Sequence, residues 1–187
     1  VVEVTPDSTD ALEHVAAFAE RTGFAISKLE SFGDQIAMTT GMCWEHGFNI
    51  TVVREQIPAG KRHVVANVGL RLTAEPTEPV PGLVVAEERL APGAKPWAHE
   101  SELLVEVVSQ NNYREDYAGK QKRYARSGAP QHLLVDPREG PCLLYTEPLK
   151  TPGVYRYVST TSFGEPVAGI ACMDGADLDT SEFLRYT

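Results

Sequence analysis

Apolar and polar positions alternate along the chain in short blocks of two kinds. Leu12, Val15, Ala16 and Ala19 recur at helical spacing behind the capping candidates Asp7 to Asp10 and before the stop at Gly23, which predicts an amphipathic opening helix. Residues 24–29 and 35–40 read as two strands, and Gly33-Asp34 between them favours a tight hairpin turn. Glu30 closes the first strand. The stretch 44–57 predicts a helix of mixed propensity, because Ile50, Val52 and Val53 are stiff at their branched β-carbons. A strand over 63–72 follows, then a loop over 73–81 that three prolines impose, a strand at 83–86 and a loop over 89–100, in which Trp97 reads either as part of a contact surface with His99 or, better, as a lid over the core edge.

The second half opens with Leu103 to Val108, an apolar run of the kind buried on both faces of a sheet. Tyr113, Tyr117, Lys120 and Tyr124 then stand at i, i+4, i+7 and i+11, one face of a helix spanning 113–127 that should pack on that sheet. A strand ends at Asp136-Pro137, where the aspartate has a sufficient local role in capping its own turn. Strands over 142–146 and 153–160 form an antiparallel extension, followed by a short strand within 166–174 and a helical turn over 179–185. These elements imply one α/β domain over 1–187: a mixed sheet flanked by helices, with antiparallel strands at its margins.

Composition narrows the reading. A chain of 187 residues that is 42% hydrophobic can build a core without staples. Cys43, Cys142 and Cys172 are far apart and form no CxxC, so free thiols are expected. No apolar run reaches membrane-spanning length and the start has no signal-peptide character, so a cytoplasmic protein with no membrane partner is expected. The net charge of −9 argues against a protein that coats nucleic acid by bulk electrostatics. The segment from Arg114 to Arg126 is the local exception, with five basic residues against Glu115 and Asp116, and reads equally as a solvated face or a DNA-facing one.

One carboxylate interrupts the apolar run at Glu106. Burying it unpaired would cost several kcal/mol, so it must be protonated, paired with a cation or bound to a metal. Lys120, inward with the tyrosines, is within plausible reach. The bland alternative keeps Asp116 and Lys120 as an ordinary i, i+4 ion pair and leaves Glu106 in water at its strand end. The sharper one makes Glu106 a metal ligand and Lys120 the group that stabilises charge on a phosphate and its attacking water.

The string Glu106-Val107-Val108-Ser109, then Asp116, Lys120 and Tyr124, then Ser127-Gly128-Ala129-Pro130 and Leu134-Val135-Asp136-Pro137 resembles the Uma-type restriction endonuclease family of the PD-(D/E)XK nuclease superfamily. The resemblance implies a restriction-endonuclease-like core and a metal-dependent nuclease, commonly dimeric. In it Glu106 binds Mg²⁺ or Mn²⁺, Lys120 is the motif lysine moved from strand to helix, and Asp116 and Tyr124 orient that lysine. Val108 occupies the usual lysine position. Glu30, the run Gly33-Asp34-Gln35-Ile36-Ala37-Met38 and His46 resemble the family's amino-terminal pattern. The family's metal-binding aspartate, in P-D-L-x-V, is Gly82 here, in Pro81-Gly82-Leu83-Val84-Val85. Glu78 and Glu88 are the nearest replacement carboxylates in sequence. Three functions therefore stay open: an endonuclease, impaired or not; a non-catalytic module binding nucleic acid or protein; and a cleft reused for small-molecule acid/base chemistry.

Overall fold

The computed structural model describes residues 43–187 apart from 59, 61, 111, 112 and 114, the backbone of 28–32 and 35–39, and positions 14, 15, 17 and 21. Most of the predicted opening helix lies outside the described residues, as do the Gly33-Asp34 turn and the Glu30 side chain. The backbones of β1 (Lys28–Phe32) and β2 (Gln35–Thr39) pair antiparallel, with Phe32 opposite Gln35. The first strand therefore runs beyond its predicted end. Glu30 sits mid-strand opposite Ala37 and not at a hairpin corner.

The main sheet has six strands in the order β3 (His63–Ala66), β4 (Leu83–Ala86), β5 (Ser101–Val107), β6 (Gln131–Val135), β7 (Pro141–Leu149) and β8 (Val154–Ser162). Only β5 and β6 run parallel. This is the mixed sheet with antiparallel margins that the pattern predicts. Strand β3 stops at Ala66, well short of 72, because Asn67 takes a left-handed φ of 51° that breaks the ladder.

Alternation along the central strands sorts the core into two layers. Leu103, Val105 and Val107 join Leu83, Val85, Leu133 and Val135 beneath α1 (Trp44–Gln56), whose Ile50 and Val53 face them. Leu104 and Val84 point the other way, towards Tyr124 and Ala125 of α2 (Gln121–Ser127). The helix ends at Gly128, where a φ of 78° lets the backbone N–H groups of Gly128 and Ala129 close on Ala125 and Tyr124. Cys142 and Cys172 are buried, with thiols pushed up to about 12 and about 11 by that burial, while Cys43 is exposed. Trp97 is half-buried under the Arg71 guanidinium, 5.4 Å from its ring, as a lid would be.

The carboxyl-terminal segment departs from expectation. In place of a strand within 166–174 there is one bridge, Val167 to Leu178, and a 3-10 turn at Ala171–Met173; residues 179–185 form no helix. Side-chain amides take the backbone groups those elements would have used. Asn49 exchanges two hydrogen bonds with the Leu184 backbone (2.9 and 2.8 Å), Gln56 two with Asp179 (2.8 Å each), and Gln131 bonds Gly169 O and Ala171 N (2.8 Å each). Among the described residues no helix is long and apolar enough to cross a membrane.

Candidate functional site

Glu106 lies near the carboxyl end of β5 on the α2 side of the sheet, opposite Leu134 of the parallel neighbour. The chain turns at Ser109 and re-enters helix through a six-residue π-helical turn, Glu115–Lys120, that runs directly into α2. Asp116 and Lys120 bracket this turn and Tyr124 follows one turn later. All four side chains converge. Lys120 Nζ lies 3.1 Å from each oxygen of Glu106 and 3.2 Å from Asp116 Oδ1. Tyr124 donates its hydroxyl to Glu106 Oε1 at 2.6 Å, and the backbone N–H and hydroxyl of Ser109 donate to Asp116 Oδ2 at 3.1 and 3.2 Å. Glu106 is 2%, Asp116 4%, Lys120 1% and Tyr124 0% exposed, so the cluster is closed to solvent.

Lys120 pairs with Asp116 and with Glu106 at once, and Glu106 is buried, not in water at its strand end. Its ammonium is shared between two carboxylates, and Glu106 presents no oxygen that is not already approached by a donor. A divalent ion, which the resemblance implies here, needs one or two carboxylates directed at a point that water and phosphate can also reach. The donors present do not fit that need. Among the described residues no group of three or more His, Cys, Asp or Glu side chains converges as a metal requires. Glu78 is held by Lys95 at 2.5 Å, and Glu88 is exposed beyond the end of β4.

Position 82 does not offer easy rescue. A Cβ built on Gly82 would lie 3.1 Å from Ile50 Cδ1 and 3.2 Å from the Val105 carbonyl oxygen. Ile50 belongs to the α1 layer, on the opposite face from Glu106. Gly82→Asp alone should therefore destabilise the fold by about 1–3 kcal/mol through overpacking, and should not create a Mg²⁺ site. Urea denaturation and calorimetry on that variant check both halves.

The remaining residues singled out in the sequence are scattered. His46, on the first turn of α1, meets the Tyr186 hydroxyl at 3.2 Å through Nδ1, and that hydroxyl donates to the Val108 carbonyl at 2.6 Å. Its described role is to tie α1 to the chain terminus and the end of β5. Asp136 caps its turn as expected: Oδ1 accepts the N–H groups of Arg138 and Glu139 at 2.8 and 3.3 Å. Its other oxygen accepts the Tyr117 hydroxyl at 2.5 Å. In the basic segment Lys122 and Arg126 are exposed, whereas Arg123 pairs with Glu75 at 3.4 Å. Tyr113 and Tyr117 are only half-buried, not packed on the sheet, because the π turn rotates the helix face between them and Tyr124.

Sequence reading missed His132. It lies on β6 opposite Leu104, fully buried, with its ring 5.1 Å from Tyr124 edge-on and 5.4 Å from Tyr145 in a stack. Among the described residues neither ring nitrogen has a hydrogen-bond partner. Burial first, and the Lys120 charge second, push its pKa down to about 3. The available signal was the one that exposed Glu106: a polar side chain inside an apolar strand.

Comparison with known proteins agrees with this architecture. Residues 33–181 match the family model Uma2, described as "Putative restriction endonuclease". The fold is similar to that of "a putative nuclease belonging to DUF820" from Anabaena variabilis, with a TM-score of 0.64 over 83% of this chain and 88% of that one. Identity between the two is 13%, so that likeness is one of fold. No curated protein matches the chain.

Proposed function

Because the chain belongs to the Uma2 family, a restriction endonuclease-like family, we propose that it is a nuclease-fold protein whose metal-assisted phosphodiester hydrolysis is impaired and whose remaining role is to bind nucleic acid. One observation carries the reading: Lys120 and Tyr124 occupy the oxygens of Glu106, and among the described residues no group of three or more His, Cys, Asp or Glu side chains converges to hold a divalent ion. Restriction endonuclease-like proteins generally work with such ions. Here the lysine charge that would stabilise a scissile phosphate is held between Glu106 and Asp116. Small-molecule acid/base chemistry at the same pair has less support, since a proton acceptor must reach its substrate and Glu106 is 2% exposed.

The test is direct. Supercoiled plasmid and single-stranded oligonucleotide, incubated with the protein in Mg²⁺ or Mn²⁺, should be cut no faster than with Glu106→Ala. Metal-dependent cleavage that disappears in Glu106→Ala would overturn the reading.

A further inference from the structure

The two tyrosines that turn away from the sheet define a second feature. Tyr113, Tyr117, Ala118, Asp136, Arg138 and Glu139 line an open cleft of about 520 Å³, within the usual range for small-ligand sites. Its walls are the π-helical segment on one side and the turn after β6 on the other. It therefore opens at the carboxyl ends of the parallel strands, the end of the sheet where Ser109 and Asp116 also lie.

The cleft is held stiffly. Asp136 is fully buried and saturated: it fixes the turn through the N–H groups of Arg138 and Glu139, and the helix through the Tyr117 hydroxyl. On this frame the Arg138 guanidinium carbon sits 4.0 Å from the centroid of the Tyr113 ring, in face-on contact. Among the described residues no carboxylate salt-bridges that guanidinium. Arg138 thus lies on an aromatic ring with no salt-bridging carboxylate among the described residues, and offers one guanidinium edge beside an apolar aromatic wall in a cleft that the exposed Glu139 also lines.

We infer that this cleft binds one unpaired nucleotide unit, its base stacked on the aromatic and guanidinium surfaces of Tyr113, Tyr117 and Arg138 and its phosphate met by the Arg138 N–H edge. Planar bases stack on tyrosine rings and arginine planes with little dependence on sequence, and only unpaired bases expose those faces. Net negative charge disfavours a continuous phosphate track, so recognition by stacking with one cation fits this protein better than backbone wrapping. The inference rests on the nucleic-acid reading above and names its ligand class. The same chemistry is offered by a free nucleotide and by a base in a single strand.

The experiment is fluorescence anisotropy in EDTA with a labelled oligodeoxyadenylate, an abasic strand of the same length and a duplex. Competition by AMP and by ribose 5-phosphate forms the second arm. The single strand should bind saturably, with the abasic strand and duplex each about tenfold weaker or worse. Tyr113→Ala and Arg138→Ala should each weaken binding about tenfold without a matching fall in melting temperature. Competition by AMP but not ribose 5-phosphate would assign the free nucleotide as sufficient; failure of AMP beside an intact strand effect would assign the single strand. Equal binding of the abasic strand, indifference to both variants, or no binding of any probe would overturn the inference. Because EDTA removes any hydrolysis, a failure here is separable from metal-dependent cleavage, which would sink only the impaired-hydrolysis reading.

Discussion

Lys120→Met is expected to destabilise the protein by about 3–5 kcal/mol, the cost of leaving a buried charge without its partner. Two carboxylates depend on this one ammonium: Glu106 at 3.1 Å and Asp116 at 3.2 Å, both buried. Without it, Glu106 keeps the Tyr124 hydroxyl and Asp116 the Ser109 donors, but neither keeps the ammonium that offsets its charge. Domains of this kind have about 5–15 kcal/mol in total, so the variant should lose a large share of its stability. A companion variant isolates the cause. Glu106→Leu combined with Lys120→Met removes the main charge pair and should cost less than Lys120→Met alone, since replacing a buried pair by apolar groups is often near neutral. Urea denaturation of the two singles and the double, read as a mutant cycle, checks it. Additive losses would show that the pair is not coupled.

The second large effect is acid sensitivity through His132. In the folded protein burial and the nearby Lys120 hold its pKa at about 3, against 6.5 for the free side chain. Between those values the unfolded chain binds a proton that the folded protein refuses. The stabilising contribution of the neutral ring is therefore complete above pH 6.5 and is lost as pH falls towards 3, at about 1.4 kcal/mol per unit. From pH 7.5 to 4.5 the loss from this residue should be roughly 3 kcal/mol. His132→Phe keeps an aromatic ring between Tyr124 and Tyr145 and removes the titration, so its stability should fall less over the same interval. If both proteins lose the same amount, His132 is not the cause.

How much of this was legible depends on where each residue finds its partner. Glu106 and Lys120 could be paired on paper because a charge in a twice-buried strand demands compensation and the next helix supplies one at the right phase. The sheet was legible for a related reason: its strands are runs of apolar residues bounded by turn formers. The π turn was not, since a pattern of i, i+4 spacings looks the same before and after one inserted residue. That is why Tyr113 and Tyr117 were expected on the sheet and line a cleft instead. The tail was illegible for want of local cause, as its backbone is satisfied by Asn49, Gln56 and Gln131 from distant parts of the chain. Gly82 could be read as a departure from a motif, but not as a position whose first neighbour is Ile50 on the opposite layer.

The central claim is that Glu106 is committed to Lys120 and Tyr124 and is not available to a divalent ion. Isothermal calorimetry of the protein with Mg²⁺ and with Mn²⁺, beside Glu106→Ala, tests it most directly. The expected result is no saturable binding that depends on Glu106. A stoichiometric Mn²⁺ site in the unmodified protein that vanishes in Glu106→Ala would contradict it, and would return Glu106 to the role of a metal ligand in an active nuclease.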